Sequence, residues 1–134
     1  MNFQKKKDLE MGTINENQIQ TIIKEYFKCN DLKKLDKYNV FDFYSPLNEL
    51  YFEVKSRRCN YMSYPTTIIG YNKFVEASKL NGDKYFVFIF NDGNYYYKYI
   101  NDDKFDIANG GRNDRGKDEY KNYVYIPIEK LTKF

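Results

Sequence analysis

The sequence predicts an α/β protein with a single mixed β-sheet flanked by helices. Three observations lead there. Apolar residues recur at helical spacing after Glu16 and again within Tyr71 to Leu80. Between and after these segments lie five short runs rich in Tyr, Phe, Val and Ile, the residues of pleated, half-buried strands. Their order is helix, two strands, helix, two strands, loop, strand, which one sheet with helices packed on it accommodates. A chain of 134 residues makes one domain, and a domain of that size hides roughly two-thirds of its unfolded surface.

Residues 1–12 read as a flexible basic arm carrying Lys5-Lys6-Lys7, and the domain proper spans 13–134. Thr13 or Asn15 can cap the first helix, whose buried side holds Ile19, Ile22, Ile23, Tyr26 and Phe27. Asn30-Asp31 ends it. Tyr38 to Tyr44 is an apolar run interrupted by Asn39 and Asp42 and reads as a strand. Ser45-Pro46-Leu47-Asn48 supplies turn chemistry. Leu50 to Lys55 reads as the second strand, paired with the first as a hairpin. Tyr61 to Gly70, with Pro65 and several small polar residues, reads as irregular. Tyr71 to Leu80 is the second helix, closed by Asn81-Gly82-Asp83. Tyr85 to Phe90 is continuously apolar, as in a strand buried on both faces. Asn91-Asp92-Gly93-Asn94 turns it into Tyr95 to Ile100. Asn101 to Asn122 reads as a long polar loop, and such loops in compact domains are functional or mobile. Tyr123 to Ile126 is the last strand, ended by Pro127, and Glu129 to Phe134 makes a helical turn at most.

Composition narrows the chemistry. There are 15 Tyr and 11 Phe but no Trp, so the core is built on Tyr and Phe. Histidine is absent, which removes imidazole bases, His-dependent triads and the common zinc sites. Cys29 and Cys59 form no CxxC pair and suggest a reducing compartment. No stretch has the length and apolarity of a membrane span or a secretory signal, so the expectation is an intracellular protein with no membrane partner. The net charge of +3 is a mild bias toward anions. Catalysis must therefore come from carboxylates, lysines, tyrosines, thiols or a hard metal ion.

Alternation along Tyr51 to Lys55 puts Tyr51, Glu53 and Lys55 on one face, and Phe52 and Val54 on the other. With the preceding strand paired beside it, Asp42 can approach Glu53. Two close carboxylates in a partly buried site repel, and a bound divalent cation relieves them. Lys55 aims its ammonium at the same place. On an exposed strand Glu-x-Lys would be a solvated ion pair worth about 0.5 kcal/mol. Here, however, Asp42 interrupts an apolar run, and Glu53 and Lys55 follow Tyr51-Phe52 in the middle of the fold.

The succession of helix, Asp-bearing strand, Glu-Val-Lys strand, helix and strand over about residues 14 to 100 resembles the core of the PD-(D/E)XK nuclease superfamily. That superfamily includes restriction endonucleases and archaeal-type Holliday junction resolvases. The resemblance implies a restriction endonuclease-like core. It implies Asp42 and Glu53 as metal ligands, the Val54 carbonyl as a further ligand, and Lys55 as the catalytic lysine. It implies Mg²⁺ as cofactor, with Mn²⁺ as a substitute. Many members carry an acidic residue on the first helix; Glu16 fits best and Glu25 less well. Some place a Gln or Lys on the following helix, where Lys73 lies. The motif departs in having Phe41 where a Pro precedes the Asp.

Arg57-Arg58 follows the Glu-x-Lys strand, and Arg112, Arg115 and Lys117 lie in the long loop, mixed with Asp114, Asp118 and Glu119. With Lys73 they are the candidates for phosphate contacts. The loop is equally consistent with a solvated, charge-balanced segment. Tyr61, Tyr64 and Tyr71 can stack on bases or pack half-buried. The expectation is a Mg²⁺-dependent DNA endonuclease or junction-resolving enzyme, with a homodimer matching two-fold substrates. The alternative is a non-catalytic nucleic-acid or protein binding module on the same fold.

Overall fold

A computed structural model describes residues 16–110 and 121–134. Helix α1 runs through residues 16–27. The strands that follow are β1 (Lys33–Lys34), β2 (Phe43–Ser45), β3 (Leu50–Ser56) and β4 (Thr66–Gly70). Helix α2 (Tyr71–Lys79) leads into β5 (Asp83–Phe90), β6 (Gly93–Lys98), β7 (Asp106–Gly110), β8 (Lys121–Pro127) and β9 (Thr132–Lys133). Short 3-10 turns occupy Tyr61–Ser63 and Ile128–Lys130.

The expected single sheet is in fact two. A six-stranded mixed sheet has the order β1-β2-β3-β5-β6-β9, and a three-stranded antiparallel sheet has the order β4-β8-β7. The difference arises in the stretch read as irregular. Pro65 does not prevent pairing there, because Thr66–Gly70 begins just after it and buries Thr67 and Ile69 alternately. This short strand pairs with β8 from Thr66↔Pro127 to Gly70↔Tyr123. β7, within the segment read as loop, pairs with the other edge of β8. The loop candidates Arg112, Arg115 and Lys117 lie outside the described residues, as does the N-terminal arm.

At the centre, β3 and β5 run parallel from Leu50↔Asp83 to Ser56↔Ile89. Gly82 fixes the start of that register. Its φ is +88°, and a Cβ there would lie 2.2 Å from the Glu49 carbonyl, which already accepts the Asp83 N–H at 2.9 Å. Only glycine meets both conditions. Lys84 closes the same corner by donating to the carbonyls of Leu80 and Gly82, where a cation suits the end of α2.

Alternation along β5 divides the core in two. Tyr85 and Val87 face α1 and pack with Ile19, Ile23, Phe43, Leu50 and Phe52. Phe86, Phe88 and Phe90 face α2 and the small sheet, packing with Ile69, Ala77, Val124 and Ile126. The large sheet is thus the middle of three layers. Offset and edge-to-face ring pairs fill both interfaces, among them Phe52 with Tyr85 and Phe74 with Phe86, each at 5.2 Å.

Candidate active site

The β2–β3 hairpin pairs as expected, but its first strand is shorter. The chain bends through 39–42, and ladder pairing runs only from Phe43↔Phe52 to Ser45↔Leu50. Asp42 therefore lies one residue before β2, beside the part of β3 that β2 no longer covers. It takes over the pairing there. Its N–H donates to the Phe52 carbonyl at 2.9 Å, and its Oδ2 accepts the Val54 N–H at 2.7 Å. A strand residue's N–H and C=O point to the same side. The Val54 carbonyl consequently faces the gap beside Asp42.

Glu53 points to the other face of β3, toward α2, and is 2% exposed. Lys73 reaches it from the first turn of α2, with Nζ 2.6 Å from Oε2, while donating to the Val40 carbonyl at 2.8 Å. The charge contact is close, yet Oε2 receives no hydrogen bond of good geometry. Burial pushes the Glu53 carboxyl up, and the adjacent Asp42 carboxylate pushes it further; Lys73 pulls it back, leaving it at about 7. An acid held near neutrality between a second carboxylate and a lysine is a charge arrangement that a cation would relieve.

Glu16 comes in from α1. With Asp42 and Val54 it lines a cleft of about 290 Å³ on the α1 side. It is ion-paired with Lys34 of β1, and the Lys34 ammonium is held up by Glu16 and, more weakly, by Asp42. Lys34 was missed in the sequence because it sits in a polar connector with no periodicity to mark it. Glu25 is exposed and lies away from the cleft. Lys55 shares the α2 side of β3 with Glu53 and lines a second cleft of about 430 Å³ with Arg57 and Lys73.

Of the arginine pair, Arg58 is exposed on the turn after β3. Arg57 is half-buried and ties the two sheets together. Its guanidinium donates to the Ile68 carbonyl and the Thr67 hydroxyl of β4 and lies over the Phe88 ring. Its burial lowers its pKa. Tyr61 also packs, stacking on Tyr95 at 4.0 Å and donating to the Ile128 carbonyl, whereas Tyr64 and Tyr71 are exposed.

Across residues 4–134 the chain matches the model of the family described as "Phage putative PDDEXK endonuclease". The chain belongs to this family. The PD-(D/E)XK resemblance is thereby established at the level of the family, which supports a nuclease function in general. No curated protein and no solved structure matches the chain. PD-(D/E)XK nucleases generally use divalent metals, and the donors here suit one. Asp42, Glu53 and the Val54 carbonyl are hard oxygens of the kind Mg²⁺ accepts. Among the described residues, no three or more Asp, Glu, Cys or His side chains converge into a ready-made cluster. A cation held here would thus rest on two carboxylates, backbone and water, as Mg²⁺ commonly does.

Proposed function

We propose that this PD-(D/E)XK family member is an Mg²⁺-dependent DNA endonuclease, with Mn²⁺ able to replace Mg²⁺. The observation that carries this reading is the Asp42–Glu53 pair, two adjacent carboxylates at a buried position with the Lys73 ammonium offsetting one of them. Asp42, Glu53 and the Val54 carbonyl would hold the cation. Bound there, the ion supplies Lewis-acid charge to the attacking water and the scissile phosphate. Lys55, on the Glu53 face, orients the water and offsets negative charge developing on the phosphate. Lys73 holds Glu53 in place from α2. Glu16, steadied by Lys34, sets the acidic wall on the α1 side. Among the described residues no separate base-reading module accompanies the site, which favours cleavage directed by DNA structure, such as a branched junction, and a homodimer matching its two-fold symmetry.

The test is cleavage of supercoiled plasmid and of branched DNA with Mg²⁺, Mn²⁺ or EDTA. The reading expects cleavage only with metal, and loss of at least 100-fold in Glu53→Ala and Lys55→Ala. Folded wild-type protein that leaves every substrate intact, or variants that cut as well as wild type, would contradict it.

A further inference from the structure

The second cleft, at the start of α2, has a different character from the carboxylate site. Lys55, Arg57 and Lys73 line it, together with Asn72 and Tyr123, and no carboxylate is among its lining residues. The three cations come from β3, the turn after it, and α2, so the fold, not one basic run, assembles them. Lys55 has no ion pair or side-chain hydrogen bond among the described residues. Arg57 gives its hydrogen bonds to a neutral carbonyl and a hydroxyl, so its charge is not cancelled. Only Lys73 is paired with an acid, at the rim shared with Glu53.

The backbone adds to this. Gly70 is the N-cap of α2 and offers no side chain to the helix's first amides, and the first turn carries no acidic residue. Asn72 folds over Gly70 so closely that a Cβ there would meet its Oδ1 at 2.6 Å. The glycine thus leaves room for the carboxamide at the mouth of the cleft. Backbone donors, a carboxamide and several cations in a concave site of this size match a tetrahedral oxyanion better than a flat base edge.

We propose that this cleft is a phosphate subsite, holding a backbone phosphate of the nucleic-acid strand beside the one positioned for cleavage. The inference deepens the nuclease reading and rests on it for the identity of the strand. It implies that the strand backbone crosses β3 from the Asp42 side to the α2 side, and that this contact is indifferent to base sequence.

The test is binding of labelled oligonucleotides in EDTA, across a salt series, by wild type, Asn72→Asp and Asn72→Ser. An Asp at the second helical residue favours a helix N-terminus, so Asn72→Asp should fold as well as wild type, which thermal melting checks. Its charge would occupy the cations and repel phosphate. The proposal expects Asn72→Asp to weaken binding at least 10-fold on every sequence and to reduce the salt slope by about one, as for one lost phosphate contact. Asn72→Ser, which removes the carboxamide without adding charge, should weaken binding less than Asn72→Asp. Asn72→Asp binding within two-fold of wild type, an unchanged slope, or no binding by wild type at low salt would overturn the proposal. Binding of inorganic phosphate that Asn72→Asp abolishes, without oligonucleotide binding, would assign the cleft to free phosphate instead. Oligonucleotide binding that is sensitive to Asn72→Asp, in a protein that never cleaves with Mg²⁺, would sink the nuclease reading while leaving the subsite standing.

Discussion

At Glu53 the fold keeps a carboxylate where burial and Asp42 both oppose its charge. The sign for stability follows. The folded group holds its proton to about 7, against an ordinary carboxyl value of 4.5, so between those values the unfolded chain binds fewer protons. Without metal, the contribution of Glu53 is fully present below pH 4.5 and is lost as pH rises to about 7. Glu53→Gln removes the buried charge while keeping the shape. It should raise stability at pH 8 in EDTA by roughly 2 kcal/mol, measured by urea unfolding, while abolishing cleavage. A variant less stable than wild type would show that the Lys73 ion pair outweighs burial. Asp42, Glu53 and Lys55 were legible as candidates because each breaks a pattern: a carboxylate within an apolar run, then charges on one face of a strand. Lys34 was not, and Lys73 was legible only at the family's helix position and as a phosphate contact, without its ion pair to Glu53. Nothing local reveals these pairings in a lysine-rich chain, and only the docking of α2 and β1 brings the two lysines to the acids.

Arg57 shows the same limit at the level of elements. Its position after the Glu-x-Lys strand suggests a phosphate contact, and its side chain reaches the second cleft, but it also ties β3 to β4 across the sheet interface. Arg57→Ala should lower stability by about 2–3 kcal/mol, the cost of losing charge-assisted hydrogen bonds and leaving the Ile68 carbonyl without its donor. Urea unfolding measures this; a change under 0.5 kcal/mol would mean the arginine serves the ligand alone. Strands of strong character were legible, β5 above all, since six consecutive apolar residues admit little else. β7, Asp-Ile-Ala-Asn-Gly, was not, because it is short, small and polar and owes its strand state to pairing with β8. β4 holds four β-branched residues in five, but Pro65 just before it and the small polar residues around it masked that preference.

Across the whole molecule, Tyr and Phe take the place of the missing Trp in both cores, and this sets a limit at high pH. Burial, with Tyr26 beside it, pushes the Tyr96 hydroxyl up to about 12. Burial and the hydrogen bond to Asp103 hold Tyr97 higher still. Below pH 10 both folded and unfolded chains keep these protons. Above it the unfolded chain releases them first, so stability falls with rising pH. The urea midpoint should drop steeply between pH 10 and 12, with tyrosinate absorbance rising together with loss of near-UV circular dichroism. Tyr96 and Tyr97 ionising near pH 10 with the circular dichroism intact would contradict this. The α/β class followed from the order of elements. The division into two sheets did not, since sheet membership depends on partners far along the chain.

The most direct test of the central claim is calorimetric titration of Mn²⁺ into the metal-free protein at pH 8 and pH 6, beside Glu53→Gln and Asp42→Asn. A carboxylate pair suited to a cation predicts saturable binding by wild type, stronger at pH 8 because Glu53 must lose its proton, and at least 10-fold weaker in both variants. Binding that both variants retain in full, or no binding by wild type at either pH, would contradict the assignment of Asp42 and Glu53 as the metal-holding pair.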